Sequence, residues 1–277
     1  MKTLYFDCTN GVSGDMVSMA LKELLGEKRE EAFTEIEKFQ EHMFDFAHEF
    51  GHEHCHDHDH HHGSNDHEHQ HDHGHHTHGH SNSYAAIKKI IESGQLSENA
   101  KEKALAIYLV IAKAEAFAHE TTIEEVHFHE VGRNEAVLNI VGTAICIDLL
   151  EVEKVMCSEI CDGTGFIECS HGTIPVPVPA VMAMRKETDL VFITDESVKT
   201  EMVTPSGLAM IIGLGAKYSK EIPQGEVLQK ATVFGKRKTG RDGGFSAYIT
   251  KHWKEKMYYE KSNCCCNANA KWQKQHG

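Results

Sequence analysis

Two imidazoles one residue apart, followed at once by a carboxylate, stand in the stretch His127-Phe128-His129-Glu130-Val131-Gly132. On an extended backbone side chains alternate between faces, so His127 and His129 would point the same way and could meet one metal ion. Glu130 adds an oxygen donor, and Gly132 permits a sharp turn into a helix that Asn134 would cap. His119 closes the preceding helical pattern and is a candidate third imidazole. Against this metal reading stands a plainer one, in which the histidines are satisfied polar groups of a turn. On the motif alone the plainer reading is favoured.

A second set of histidines has no such competitor. Between His52 and His80 lie fifteen imidazoles in 29 residues: His52, His54, His56, His58, His60, His61, His62, His67, His69, His71, His73, His75, His76, His78 and His80. Six carboxylates accompany them, with no Lys or Arg. Such a segment has no apolar surface to bury and is expected to be disordered. Neutral imidazole suits Ni, Zn, Cu and Co(II), so the segment reads as a metal-collecting loop whose metal the composition does not name.

Two further groupings could do chemistry. Asp7 ends a short apolar strand, and Thr9-Asn10-Gly11-Val12-Ser13-Gly14-Asp15 then leads into a helical pattern from Met16 to Leu25. Strand, glycine-containing loop and helix expose N–H groups at a helix N-terminus, where anions bind. The loop lacks the Gly-Lys-Ser/Thr ending of a triphosphate loop and the dinucleotide glycine spacing. Asp7 and Asp15 flank it and could hold a cation or a substrate hydroxyl. On spacing alone, Ser13 as helix cap and Asp15 as dipole complement is the simpler account. Cys169 and His171 lie two apart in a glycine-rich stretch, a pair that can ligate a metal or form a nucleophile, and weak by itself.

Several elements must position these groups. Phe33, Ile36, Phe39, Met43 and Phe46 recur at helical spacing, and further helices are expected over Ala85–Glu92 and Ser97–His119, with Ser97 as N-cap. The segment to Leu150 is apolar nearly all round, as in a buried helix, except for Glu135, Asn139 and Thr143 on one face. That polar stripe suggests a lined pocket. Strands are expected over Lys154–Ile160 and Val191–Ile193. Alternating Pro175, Pro177 and Pro179 indicate an extended polyproline-like segment and not a central strand. Thr204 caps a helix with Pro205 in its first position. The resulting expectation is an α/β fold, with a mixed α+β arrangement as its variant, in one globular domain. Residues 1–50 form its first part, 51–83 the histidine-rich loop, 84–247 the main core and 248–277 a polar tail.

The formal charge of −14 argues against nucleic acid and anionic membranes as partners. No secretory signal is evident, and the longest apolar run is too short to span a bilayer. Nine cysteines, scattered apart from Cys264-Cys265-Cys266, suggest a reducing cytosol and a cytoplasmic protein.

Taken in order, several motifs resemble the LarC family of nickel-insertion proteins, which mature the lactate racemase cofactor. They are Asp7-Cys8-x-x-Gly11-x-Ser13-Gly14-Asp15-Met16, the histidine-rich loop, His127–Gly132, Gly165-Phe166 through Cys169-x-His171-Gly172, Pro175-Val176-Pro177, and Glu201-x-Val203-Thr204-Pro205-x-Gly207. The resemblance implies insertion of Ni(II) into pyridinium-3,5-bisthiocarboxylic acid mononucleotide, with carbon–nickel and sulfur–nickel bonds formed. It implies CTP as co-substrate of the complete family proteins, with Mg(2+) or Mn(2+) as candidate companions. Metal would then sit near His119, His127, His129 and Glu130. The small-molecule mononucleotide substrate would sit near Asp7, Ser13, Gly14, Asp15, Cys169 and His171.

Three departures from the family pattern matter. The family carries more sequence between the first helix and the histidine loop. Where its pattern has two aspartates after the His-Glu-Val-Gly motif, this chain has Glu135 and Asn139. The chain also stops near the end of the family's N-terminal half, so the CTP-binding C-terminal half is expected as a partner, alongside lactate racemase maturation proteins; a homo-oligomer stays open. Two competing readings remain: a non-catalytic nickel or zinc storage chaperone, and, ranked last, a zinc hydrolase with Glu130 as base.

Overall fold

Leu4 and Phe6, both fully buried, place the first strand at the centre of a sheet rather than at its edge. The computed structural model describes residues 1–50, 83–128, 131–169 and 172–252, the side chains of 47–50 aside. The histidine-rich loop, His129, Glu130, His171 and the three adjacent cysteines of the tail therefore lie outside the described residues. In chain order the elements are β1 (Lys2–Asp7), α1 (Gly14–Leu24), α2 (Arg29–Phe50), α3 (Tyr84–Ser93), α4 (Glu98–Ala118) and α5 (Asn134–Leu150). There follow β2 (Lys154–Cys157), β3 (Ile160–Asp162), β4 (Gly165–Cys169), β5 (Gly172–Val176), α6 (Pro179–Lys186), β6 (Phe192–Thr194), α7 (Pro205–Gly213), β7 (Lys217–Tyr218), β8 (Glu226–Val233) and β9 (Phe245–Lys251).

The fold is mixed α/β. Five strands form one sheet in the order β7-β2-β1-β9-β8, parallel from β7 to β1 and antiparallel from β1 to β8. A parallel β1–β2 pair requires a crossover, and α1 to α5 lie within that connection. Helix α1 packs on β8 and β9, α5 on α1, and α4 on α5, α6 and α7. The continuous apolar composition of α5 is explained by this placement: Ile140, Ala144, Ile145 and Cys146 are all fully buried. At the α4–α7 crossing a Cβ on Gly213 would stand 2.6 Å from the Cα of Ile107, so only glycine allows the two helices to touch. Among the described residues no helix is long and apolar enough to cross a membrane.

Three local expectations are revised. The stretch Lys154–Ile160 is two strands in different sheets. At the break the Ser158 hydroxyl accepts the Cys8 N–H at 2.8 Å and donates to the Glu159 carbonyl at 2.7 Å, turning the chain away to pair β3 with β6. The proline run is not one extended segment. Pro175 lies in the two-stranded β4–β5 ribbon opposite Phe166, the Val176–Pro177 bond is cis, and Pro179 opens α6. The polar tail expected from residue 248 starts later, because β9 runs on to Lys251. Its alternation of Ala247 and Ile249 with Tyr248 and Thr250 looks polar on average, yet it pairs on both sides.

One buried carboxylate fastens the small β3–β6 ribbon to the segment ahead of α7. Asp162, with no exposed surface, accepts the N–H groups of Gly163 (2.9 Å), Met202 (3.0 Å) and Val203 (3.2 Å) and an Nη2 donor of Arg185 (3.2 Å). The same segment pairs with the first loop: Val12 N–H donates to the Met202 carbonyl and Thr204 N–H to the Val12 carbonyl. A Cβ on Gly207 would meet the Ser13 Cα at 2.6 Å, so α1 and α7 begin side by side.

Candidate functional site

The first turns of four helices open onto one cleft of about 620 Å³. Helix α1 contributes Gly14 and Asp15; α5 contributes its cap Arg133 with Glu135 and Ala136; α6 contributes Pro179 and Ala180; α7 contributes its cap Thr204 with Pro205 and Ser206. The C-terminal end of α4 adds Glu115, Ala118 and His119, and the β4–β5 hairpin adds Ile167, Glu168, Cys169 and Ile174. Each helix N-terminus carries roughly half a positive charge in its unpaired N–H groups, so the fold itself makes the site hospitable to anions. The side chains pull the other way. Asp15, Glu115, Glu135, Glu168 and Glu201 line the cleft against Arg133 and Arg237, a balance that attracts cations.

Two of those carboxylates are tied to one basic segment. Asp15 accepts Lys236 Nζ on Oδ2 at 2.8 Å and Asn139 Nδ2 on Oδ1 at 3.1 Å. Glu201, almost wholly buried, pairs with Arg237 Nη2 at 3.0 Å. The hydrogen bond to Asp15 raises the Lys236 pKa and keeps its ammonium charged. Arg237, Glu115, Glu168 and Glu201 of the lining, and Lys236 beside it, were not singled out as site residues by sequence reasoning. A signal for the basic pair exists: four cations fall between Gly235 and Gly244 in a chain of charge −14.

The residues expected at the site are distributed unevenly. Gly14, Asp15, His119 and Cys169 line the cleft. Asp7 does not; its Oδ1 accepts the N–H and hydroxyl of Thr9 at 3.1 and 2.6 Å, an Asx turn that shapes the first loop. Ser13 caps α1 by accepting the Met16 N–H. His119 Nε2 lies 3.5 Å from Glu115 Oε2, and the Cys169 thiol donates to the Gly172 carbonyl at 3.5 Å. His127 is exposed and forms an isolated antiparallel bridge with Ser83, and its expected pairing with His129 falls outside the described residues. Asn134 is the first helical residue of α5, and Arg133 takes the cap position, accepting the Ala136 and Val137 N–H groups on its carbonyl. Phe128 is buried against Tyr108, whose hydroxyl donates to the Val131 carbonyl at 3.2 Å, and Val131 lines the cleft. His127 thus lies beside Ser83, and Val131 lies on the wall of the cleft; His129 and Glu130 between them lie outside the described residues.

Among the described residues no group of three or more His, Cys, Asp or Glu side chains is placed to hold a metal ion. Buried thiols are poor nucleophiles here, since burial lifts Cys8 well above the usual value and Cys146 and Cys157 to about 12. The first loop does not offer its N–H groups to a triphosphate such as CTP. In the first loop the N–H groups of Gly11, Val12 and Met16 are taken by the Cys8 carbonyl, the Met202 carbonyl and the Ser13 hydroxyl.

No solved structure matches the chain. The family described as nickel insertion protein matches residues 4–264. A pyridinium-3,5-bisthiocarboxylic acid mononucleotide nickel insertion protein of Acetivibrio thermocellus is 41% identical over 273 residues, covering 97% of this chain and 65% of that one. A protein of the same name from Lactiplantibacillus plantarum is 36% identical over 261 residues, 89% of this chain and 60% of that one. A putative nickel insertion protein of Enterococcus faecalis is 41% identical over 170 residues, 60% of this chain and 52% of that one. The chain thus spans between about half and two thirds of the length of these relatives. With nearly all of its length matched and its motifs in family order, the chain belongs to the nickel insertion protein family.

Proposed function

We propose that this chain gathers Ni(II) on residues 51–80 and delivers it through the His127–Gly132 motif to the cleft. There the metal is inserted into pyridinium-3,5-bisthiocarboxylic acid mononucleotide, the substrate in the names of the Acetivibrio and Lactiplantibacillus relatives. The observation that supports this reading is that two described residues of the motif are placed apart, His127 at the bridge to Ser83 and Val131 on the cleft wall. His127, His129 and Glu130 receive the metal, with His119 at the cleft end of α4. Gly14, Asp15, Cys169 and His171 face the substrate, while Asp7 and Ser13 shape the loop that holds Asp15. A carbon–nickel bond at an aromatic position displaces a proton, and the cleft supplies carboxylate bases to take it. The activity is that of a nickel insertase of the cyclometallating lyase type. CTP, with Mg(2+) or Mn(2+), is bound by the family's length beyond this match, and lactate racemase maturation proteins are the downstream partners.

The test is a reconstitution of purified chain, Ni(II), mononucleotide, CTP and the remaining portion of a family protein, read by activation of apo lactate racemase. His127→Ala and His129→Ala should each abolish activation with the melting temperature unchanged, and the chain with CTP alone should give none. Full activation by both folded variants would refute the metal path. The fifteen imidazoles of the loop favour a second reading, storage without insertion. Deleting residues 51–80 separates the two: an insertase keeps its rate at saturating Ni(II), whereas a store loses its capacity.

A further inference from the structure

We propose that Arg237, flanked by Lys236, recognises the phosphate monoester of the mononucleotide in the cleft; this rests on the reading above that the cleft binds that substrate. A phosphate monoester is close to a dianion at neutral pH, and a cleft lined by Asp15, Glu115, Glu135, Glu168 and Glu201 repels it over most of its surface. One corner differs. Lys236 and Arg237, consecutive residues just after β8, reach Asp15 in the first turn of α1 and Glu201 ahead of α7. At that corner the two helices start in contact, with a Cβ on Gly14 falling 2.8 Å from Ser206 Oγ and one on Gly207 falling 2.6 Å from Ser13 Cα. Two side-chain cations therefore meet two converging helix N-termini.

Arg237 is the better placed of the cleft's arginines. Glu201 is buried and its Oε2 lies 3.0 Å from Nη2, which anchors the guanidinium at this corner. The group has five N–H donors, and among the described residues Glu201 is its one partner, so its remaining edge can donate in parallel to two phosphate oxygens. Arg133, at the cap of α5, has no carboxylate holding it among the described residues. Lys236, 89% exposed along its side chain, adds charge without fixing geometry. Asp15 and Glu201 are then positioning residues, and the ribosyl and pyridinium parts of the ligand extend towards His119 and Cys169, where the nitrogen and sulfur donors lie.

The test is calorimetric titration of the full chain with pyridinium-3,5-bisthiocarboxylic acid mononucleotide, with its dephosphorylated riboside, and with CTP. The wild type should bind the mononucleotide about tenfold or more tighter than the riboside, the worth of a charge-assisted bidentate contact. In E201Q/R237Q, which removes both charges and leaves no buried ion unpaired, that preference should fall within about twofold. Riboside and Ni(II) binding should stay as in the wild type. A double variant that melts like the wild type and keeps the phosphate preference overturns the assignment. So does a wild type that binds mononucleotide and riboside equally, with the substrate reading left intact, or one that binds CTP more tightly than the mononucleotide through Arg237. Binding of neither pyridinium ligand refutes the substrate reading as well. Should the double variant fail to fold, K236Q reads the same preference from an exposed position. It should narrow the preference by about threefold, and an unchanged preference would count against the corner.

Discussion

Replacing Arg185 by Met should destabilise the chain, and more at neutral pH than in acid. Arg185 reaches from α6 to Asp162, 3.2 Å away, with its guanidinium 4.6 Å from the centroid of the Phe192 ring. Asp162 has no exposed surface and also holds the N–H groups of Gly163, Met202 and Val203. Removing one member of a buried pair commonly costs about 3–5 kcal/mol. The three backbone donors stay with the carboxylate, which places the expected loss near the lower end, about 3 kcal/mol at neutral pH. Burial already raises the Asp162 pKa above the ordinary carboxylate value, against the lowering by those N–H groups and by Arg185. Without the cation it should rise further. A group whose folded pKa is raised stabilises the fold fully below its unfolded value, about 3.9 for Asp, and loses that contribution as pH rises through the folded value. The gap between wild type and variant should therefore be smallest near pH 4 and widest at neutrality. Urea unfolding followed by circular dichroism at both pH values measures it. A loss that does not change with pH, or one below about 1 kcal/mol at neutrality, would refute the view that Asp162 is a paired anion on which the 201–204 segment hangs.

Two further predictions probe the site's scaffold. Gly207→Ala should cost about 2–3 kcal/mol, because its Cβ would lie 2.6 Å from Ser13 Cα and 2.7 Å from the Val12 carbonyl, backbone atoms that cannot rotate aside; a melting temperature equal to wild type would show that α1 and α7 separate freely. Under native conditions iodoacetamide should modify half-exposed Cys169 and spare Cys8, Cys146 and Cys157, whose thiols are buried and raised in pKa. Peptide mass spectrometry reads the order, and native labelling of Cys8 ahead of Cys169 would contradict it.

What the sequence disclosed follows the range of the interactions involved. Ser13, Ser97 and Thr204 cap helices through the N–H three residues on, a rule written within four positions, and all three do so. The apolar periodicity of 28–50 and the all-round apolar α5 were legible for the same reason. The sheet was not. β9 lies between β1 and β8, and no local pattern tells a terminal strand that its partner is more than 240 residues away. The cleft shares this fate, since Lys236 and Asp15 are 221 positions apart and meet only because α1 lies on β8. The His127–Glu130 motif was legible as residues; His127 has an isolated bridge to Ser83, and the period-two pairing with His129 falls outside the described residues.

Asn139, where the resemblance leads one to expect an aspartate, has a physical role in this geometry. An aspartate there would set a second carboxylate beside Asp15, where Asn139 Nδ2 now donates to Oδ1 at 3.1 Å. Two carboxylates at that distance disfavour each other's ionised form. With asparagine, one oxygen of Asp15 takes the amide and the other takes Lys236. An acid satisfied on both oxygens is a brace before it is a metal ligand: it holds Lys236 at the corner where α1 and α7 start. Glu135, the other residue of the stripe, stays in the lining. With an amide at 139, that end of the cleft carries one negative charge fewer than it would with a carboxylate. On the proposed function, charge suited to drawing in Ni(II) stays with Glu115 and Glu168, beside His119 and Cys169, while the corner proposed for the phosphate is spared a carboxylate that would oppose an anion.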